Sequence, residues 1–460
     1  ALSGWKRCLV LSVGINVLVF LLRVGTLGKY NSLGIQYHYF DELVTPEMYN
    51  DFEFWYLSWV EPFLDGGFLN PYSVDFLGHQ FPPLFIYTLG LFALIPFVPI
   101  WKVAIPIFLY HISTGILVRE ISLKLSKQEK VATVAMLFYY LNPLGLVYAS
   151  FCWFNPPAFT FYVVLAFYLA LLSDQKFQLF GVALPSRELS LVALGIATMY
   201  KQFAAIFLPL LIIILLKQKD REETGTANNI LDGILHSFIY GGTVLAIALP
   251  FLLLDFNMFT YRTLVTTTEF GIEFNKMISY STPVNFNTFF VLLGFPKIIT
   301  DIIGNLIISW AFLGAFTASI CLVCWLESSK IQEDMDIEDR NSALVKNALF
   351  WALMLAFSVH LFYPRGVFKF YLLLLTPFVS ILLSFRKING VKATSDSYII
   401  GYDRKKTSWK APFVLFILLL IIVLINRFVY FILLIIWIAN YLLQKSKGGS
   451  APSENSILPS

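Results

Sequence analysis

Cys8-Leu9-Val10-Leu11-Ser12-Val13-Gly14-Ile15-Asn16-Val17-Leu18-Val19-Phe20-Leu21-Leu22 is a run with no charged side chain. About 20 such residues in a helix cross a hydrocarbon core of ~30 Å. Similar runs recur along the chain. Of its 460 residues only 13% are charged, against about a quarter in a soluble domain. The reading is an all-α polytopic membrane protein. The runs are continuous rather than alternating, which excludes a membrane barrel. No small-residue cleavage site follows residues 8–22, so they read as a first membrane helix rather than a leader.

Charge sets the topology. Trp5-Lys6-Arg7 precedes the first span, about 8–27, and places the start of the chain inside. Further spans are read at about 102–118, 131–150 and 158–172. The run 189–216 is broken at Tyr200-Lys201-Gln202, and both its flanks are basic. It therefore reads as two short helices with an outer apex, since one long helix would put its flanks on opposite sides. Spans at about 230–254, 300–326, 344–362, 370–385, 411–426 and 428–444 complete a count of about twelve. Inner segments are 119–130, with four basic residues, the stretch Lys217-Gln218-Lys219-Asp220-Arg221, the acid-rich 327–340, and the basic loop 386–410. Residues 84–98 are apolar but bounded by prolines, and read as a helix lying on or dipping into the outer face, with a true span as the alternative. Residues 1–385 read as one module, 411–444 as a terminal helix pair, and 445–460 as a Gly/Ser/Pro-rich disordered tail.

The first outer loop, 28–98, breaks the apolar pattern. It carries Asp41, Glu42, Glu47, Asp51, Glu53, Glu61, Asp65 and Asp75, with no Lys or Arg between Lys29 and Lys102. A loop this long and one-signed points to function. Three later turns fall on the same side: Trp153-Phe154-Asn155, Lys201-Gln202, and His360-Leu361-Phe362-Tyr363-Pro364-Arg365-Gly366-Val367-Phe368-Lys369. A second outer loop covers 255–298. Acids sit on one of these segments and cations on two others. That set suits glycosyl transfer from a lipid phosphate. A carboxylate takes the proton of the attacking hydroxyl. The phosphate leaves already anionic and needs only cations, for which Arg offers a bidentate fork and Lys a point charge. Nucleic-acid binding is excluded, because no basic stripe is present. Of Cys8, Cys152, Cys321 and Cys324, three lie in or beside apolar runs, and the four read as packing residues. No cofactor is expected; Asp51, Glu53 or His79 could ligate a divalent metal, but no specific ligand pattern is present and none is predicted.

Asn50-Asp51-Phe52-Glu53 with Trp55, then Phe81-Pro82-Pro83-Leu84, resembles the acidic first loop of the GT-C class of polytopic glycosyltransferases. Leu141-Asn142-Pro143 with Asn155, Tyr200-Lys201-Gln202-Phe203-Ala204, and His360 to Lys369 with Thr376-Pro377-Phe378 are similar to later family segments in the same order. The first-loop pair departs from the family in reading Asp-x-Glu rather than Asp-x-Asp. The late turn reads Tyr-Pro-Arg-Gly and lacks the His-Glu-Lys of the glucosyltransferases. The resemblance implies an inverting hexosyltransferase that uses a dolichyl- or polyprenyl-phosphate sugar and a glycolipid or lipid-linked glycan acceptor. It assigns Asp51 as base and Glu53 as its partner. Arg365, Lys369, Lys201 and His360 are expected at the donor phosphate, and Trp153, Asn155, Gln202, Trp55 and His79 at the sugar or acceptor. The membrane would be the endoplasmic reticulum in a eukaryote and the plasma membrane in a prokaryote, with the site on the luminal or outer face. The GPI transamidase contains a subunit of similar architecture that binds a glycolipid without transferring sugar. That gives an alternative expectation: a non-catalytic subunit with membrane-protein partners. A lipid or sugar transporter is the third reading, against which no inverted repeat is found.

Overall fold

The computed structural model describes residues 4–26, 52, 56–65, 71–72, 81–96, 98, 100–172, 175–179, 181–218, 226–265, 285–287, 290, 294–331, 337–363, 366–367, 369–387 and 420. Helix α1 is Gly4–Thr26. Two short helices of the first loop follow, α2 (Leu57–Asp65) and α3 (Leu84–Ala93). Then come α4 (Ile105–Ser126), α5 (Glu129–Tyr140), a π-helical turn at Gly145–Phe151, and α6 (Pro156–Leu171). A small antiparallel hairpin joins β1 (Lys176–Leu179) to β2 (Val182–Pro185) and leads into α7 (Ser186–Tyr200). A 3-10 turn at Gln202–Phe207 precedes α8 (Leu208–Lys217). The long α9 (Thr226–Thr260) is kinked at Asp255. Then follow α10 (Lys297–Ile307), α11 (Trp310–Ser328), α12 (Ile337–Phe362), a 3-10 turn at Lys369–Leu374 and α13 (Thr376–Lys387).

Among the described residues five helices are long and apolar enough to cross a membrane, or six if α5 and the π-turn count as one bent span. The expected twelve is not reached. Residues 411–444 lie almost wholly outside the described residues, and several expected spans are shorter or broken. The span read at 131–150 bends by 64°. Pro143 supplies the cause, because a proline removes a backbone donor and clashes with the preceding turn. The span read at 300–326 is two helices meeting at Ile308–Ser309, where the Ser309 hydroxyl caps α11 by accepting from the Phe312 amide. Conversely, α4 runs on through Arg119 to Ser126, so much of the expected inner loop is helix. At ten residues, or about 15 Å, α3 is too short to span.

Helix α12 is the axis of the bundle: 72% of its most apolar window is buried, against 17% for the long α9 on the periphery. Helices α6 and α7 pack side by side, as do α4 and α5. Helix α1 joins them through one face, on which Ser12, Asn16, Phe20 and Arg23 are buried at helical spacing. Asn16 is the pin. Its Nδ2 donates to the Ser12 and Tyr140 carbonyls, and its Oδ1 accepts from the Ser150 hydroxyl at 2.6 Å and from His111 Nε2 at 3.2 Å. His111 Nδ1 meets the Tyr139 hydroxyl at 3.0 Å. Close approach is needed here. A Cβ on Gly115 would lie 2.2 Å from Tyr140 Cζ.

The described parts of 119–130, 217–218 and 327–340, which read as inner, gather at one end of the helices. Arg119 pairs with Glu120 and with Glu129 at 2.8 Å, and its guanidinium lies 3.8 Å from the Trp5 ring centre. Lys127 pairs with Asp339. Lys217 donates to the Ser329 hydroxyl at 2.8 Å and lies over Trp325, while Arg340 donates to the Lys217 carbonyl. The opposite ends of α6, α7 and α8 carry the residues read as outer.

Candidate functional site

The turn after the π-helix is built around Trp153. This residue sits at φ 59°, in the left-handed region that non-glycine residues rarely adopt. Such a conformation costs of order 1–3 kcal/mol and persists only where the surroundings enforce it. Here they do. Trp153 is fully buried, its indole Nε1 donates to the Ser150 carbonyl at 3.0 Å, and its ring packs on Phe20 and Phe52. Arg23 lies 5.7 Å from the centres of both Trp153 and Phe151. Arg23 is 1% exposed and set against the candidate site.

Asn155 follows, at the start of α6. Pro156 and Pro157 occupy the first helical positions, where a missing donor is no loss. The Asn155 amide N–H donates to the Tyr56 hydroxyl at 3.2 Å, tying the turn to the first loop. Its Nδ2 donates to the Tyr371 hydroxyl at 3.3 Å. Its Oδ1 is buried and has no hydrogen-bond partner among the described residues.

Lys201 occupies the break between α7 and the next 3-10 turn, in an extended conformation (φ −155°, ψ 121°). Helix α7 ends at Tyr200, and Pro209 opens a new helix. The break turns the ammonium inward among rings, with Phe81 at 4.0 Å, Tyr371 at 5.3 Å and Phe203 at 5.7 Å from Nζ. Ring contacts then run without a gap from Phe81 through Trp59 and Phe85 to Tyr56, and from Phe203 through Tyr371 to Phe370, which stacks on Phe154 at 4.3 Å. Beside it, Tyr72 donates to the Phe81 carbonyl at 2.8 Å, and burial pushes its phenol well above the ordinary range. Gln202 Nε2 donates to the Thr263 carbonyl, which brings in the chain after α9. His360 is buried, and its Nδ1 donates to the Ala356 carbonyl at 2.8 Å, one turn back on its own helix.

The structure therefore brings Trp153, Asn155, Lys201 and the first-loop rings into one cluster, with Gln202 beside it. Tyr371 is its hub. Nothing in the sequence singled that residue out: it is one tyrosine in a run of aliphatic and aromatic neighbours. Asp51, Glu53, Trp55, His79 and Arg365 lie outside the described residues, as do Asp41 and Glu42 of the same loop. Of Lys369 only the backbone is described. Among the described residues no group of three His, Cys, Asp or Glu is placed to hold a metal ion. The cluster offers a caged cation, amides, hydroxyls and ring faces. Those groups can hold an anionic or hydroxyl-rich headgroup.

Residues 63–274, just under half of the chain, match the family model for the GPI transamidase subunit PIG-U. That stretch includes Phe81, Trp153, Asn155, Lys201 and Gln202 and stops before His360 and Tyr371. No curated protein matches the chain. Among solved structures, the apo crystal structure of the Archaeoglobus fulgidus oligosaccharyltransferase is similar at a TM-score of 0.44 and 13% identity, over 82% of this chain and 50% of that one. The chain thus spans half the length of that relative, and a likeness at this level is too slight to bear on fold or chemistry.

Proposed function

We propose that this chain is a non-catalytic, glycolipid-binding subunit of a GPI-transamidase-type complex in the endoplasmic reticulum membrane. The observation that carries the reading is the match of residues 63–274 to the transamidase subunit family. The cluster geometry agrees with it. Lys201 is an ammonium enclosed by three rings, and Asn155 keeps a buried oxygen in reserve. His360 Nδ1 is bonded back to the Ala356 carbonyl of its own helix, which fixes the ring against that helix. In this reading Lys201 faces a phosphate of the glycolipid, while Trp153, Asn155 and Gln202 line its glycan. In this reading the scaffold that the sequence resembles serves to hold a substrate rather than to react it, and the partners are other membrane subunits.

Glycosyl transfer is the second reading, favoured by the acidic first loop and its pair Asp51 and Glu53. There Asp51 would deprotonate the acceptor, and Arg365, Lys369, Lys201 and His360 would hold a polyprenyl-phosphate sugar. Purification of the full chain from its native membrane in mild detergent separates the two. The subunit reading predicts a stable complex with other membrane proteins and a copurifying glycolipid. An isolated chain that moves labelled hexose from a polyprenyl phosphate would contradict it.

A further inference from the structure

Helix α10 (Lys297–Ile307) is too short to cross a membrane and carries an exposed aliphatic stripe that water does not favour. Its 11 residues reach about 16 Å. The 19 residues of α11 reach about 28 Å, close to the ~30 Å of a hydrocarbon core. Helix α11 therefore crosses alone and leaves no thickness for α10. The two helices part at Ile308–Ser309, where Ser309 is extended (φ −141°, ψ 154°) and its hydroxyl caps α11. They part at the end of the bundle that holds Lys201. The Trp310 ring lies 5.1 Å from that of Tyr363, and Tyr363 lies 6.2 Å from Phe203, one of the rings around the ammonium. The far end of α11, at Ser329, receives Lys217.

Four-residue spacing divides α10 into three sides. Thr300 and Gly304 face the rest of the chain. The Asn287 side-chain amide donates to the Thr300 carbonyl at 2.9 Å, and a Cβ on Gly304 would lie 3.1 Å from the same nitrogen. Lys297, Asp301 and Asn305 form a second side, exposed and polar. Ile298, Ile302 and Leu306 form a third, aliphatic and 70%, 53% and 68% exposed. A helix sunk in hydrocarbon would not turn Asp301 and Asn305 outward, because a carboxylate there is costly. A helix standing wholly in water would not align three large aliphatic side chains on one stripe. A boundary between the two media suits both sides at once.

Either a bilayer or another subunit would cover the aliphatic stripe. Continuity with the lipid-facing surface favours the bilayer. Trp310, which opens α11, is exposed, and so are Leu322 and Leu326 farther along it. Tryptophan is enriched at the headgroup level of membrane proteins, so Trp310 marks that level where α10 meets α11.

We propose that α10 lies flat in the headgroup–acyl boundary of the leaflet at the Lys201 end. Ile298, Ile302 and Leu306 sink among the acyl chains, and Asp301 and Asn305 stay in water. The partner of this surface is lipid, and the Asn287 clasp ties the seated helix to the rest of the chain. The inference stands apart from the subunit reading and survives its failure.

The test places a fluorescent amino acid, by codon reassignment, at positions 298, 301, 302, 305 and 306 one at a time. The full chain is purified with whatever membrane proteins accompany it and returned to phosphatidylcholine nanodiscs. Quenchers are phosphatidylcholine with a nitroxide high on the acyl chain, the same lipid with the nitroxide near the chain end, and iodide in the water. At 298, 302 and 306 the shallow nitroxide is expected to quench several-fold more than the deep one, with little effect of iodide. At 301 and 305 iodide is expected to quench several-fold more than either lipid. All five positions are exposed, so the packed side is untouched, and each reading is a ratio of quenchers at one position. Strongest quenching by the deep nitroxide at 302 and 306 would show a helix that enters the hydrocarbon, and overturns the proposal. Quenching by neither lipid at 298, 302 and 306 would show a stripe covered by protein or held off the membrane, and overturns it equally. So does the same iodide effect at all five positions.

Discussion

Lys201 is where residue chemistry and function meet most closely. An ammonium 7% exposed in a membrane protein demands compensation, since a buried charge is costly unless partnered. Three ring faces supply part of it, at about 0.5–2 kcal/mol for a desolvated cation on a ring. Its position was legible in the sequence because a charge interrupting an apolar run stands out. Tyr371 was not legible, because the chain has 23 Tyr and 45 Phe, and spacing alone does not say which ring a distant lysine will meet. Trp153 was legible as a site residue. Its left-handed backbone was not, since that conformation is imposed by the π-turn behind it. Replacing Lys201 with methionine keeps the stem and removes the charge. We expect Lys201→Met to leave the chain folded, with thermal unfolding near the unaltered value, while glycolipid copurification falls several-fold. Unchanged glycolipid content in the purified variant would remove Lys201 from the site.

At the scale of elements, apolar runs and prolines forecast where helices lie better than how they bend. The break at Lys201 and the short outer helix α3 were both readable, one from basic flanks on each side and the other from bounding prolines. The bend between α5 and the π-turn was missed, although Pro143 was in view, because a proline in a membrane helix does not by itself fix an angle. The hairpin β1–β2 has four residues a side, too little pattern to be legible in the sequence. Helix α1 read as a uniform apolar span, yet its buried face is polar at Ser12 and Asn16. Asn16 makes four hydrogen bonds, to Ser12, Tyr140, Ser150 and His111. Side-chain bonds between membrane helices average about 0.6 kcal/mol each, so the three that leave α1 contribute about 2 kcal/mol. Asn16→Leu should therefore lower the thermal unfolding midpoint clearly and leave Ser150 and His111 without their acceptor. An unfolding midpoint equal to that of the unaltered chain would show that α1 is held by its apolar contacts alone.

For the molecule as a whole, charge bias proved a sound guide to what meets what. Segments read as inner converge through Arg119, Lys127, Lys217 and Arg340 at one end. Segments read as outer converge around Tyr371 at the other. Those two assemblies arose from separate stretches of sequence, so their agreement supports the topology more than any one loop does. The count of spans fared worse, because hydropathy does not distinguish one helix from two short ones laid end to end, as at Ile308–Ser309. The acidic first loop organised the sequence reading as a catalytic feature. Its base, Asp51, falls outside the described residues, and what the described part of the loop contributes is a wall of rings: Phe52, Tyr56, Trp59 and Phe81. That wall suits holding a glycolipid as well as it suits reacting one. The account's central claim is that this chain binds substrate for a complex and performs no transfer itself. The most direct measurement is attachment of GPI anchors to a reporter protein in cells whose own copy of this chain is replaced by the Asp51→Asn, Glu53→Gln double variant. The account predicts that the variant assembles with its partners and supports anchoring at close to the unaltered rate. An assembled complex whose anchoring falls by about tenfold or more, some 1.4 kcal/mol of lost transition-state stabilisation, would contradict it and return the carboxylates to a catalytic role.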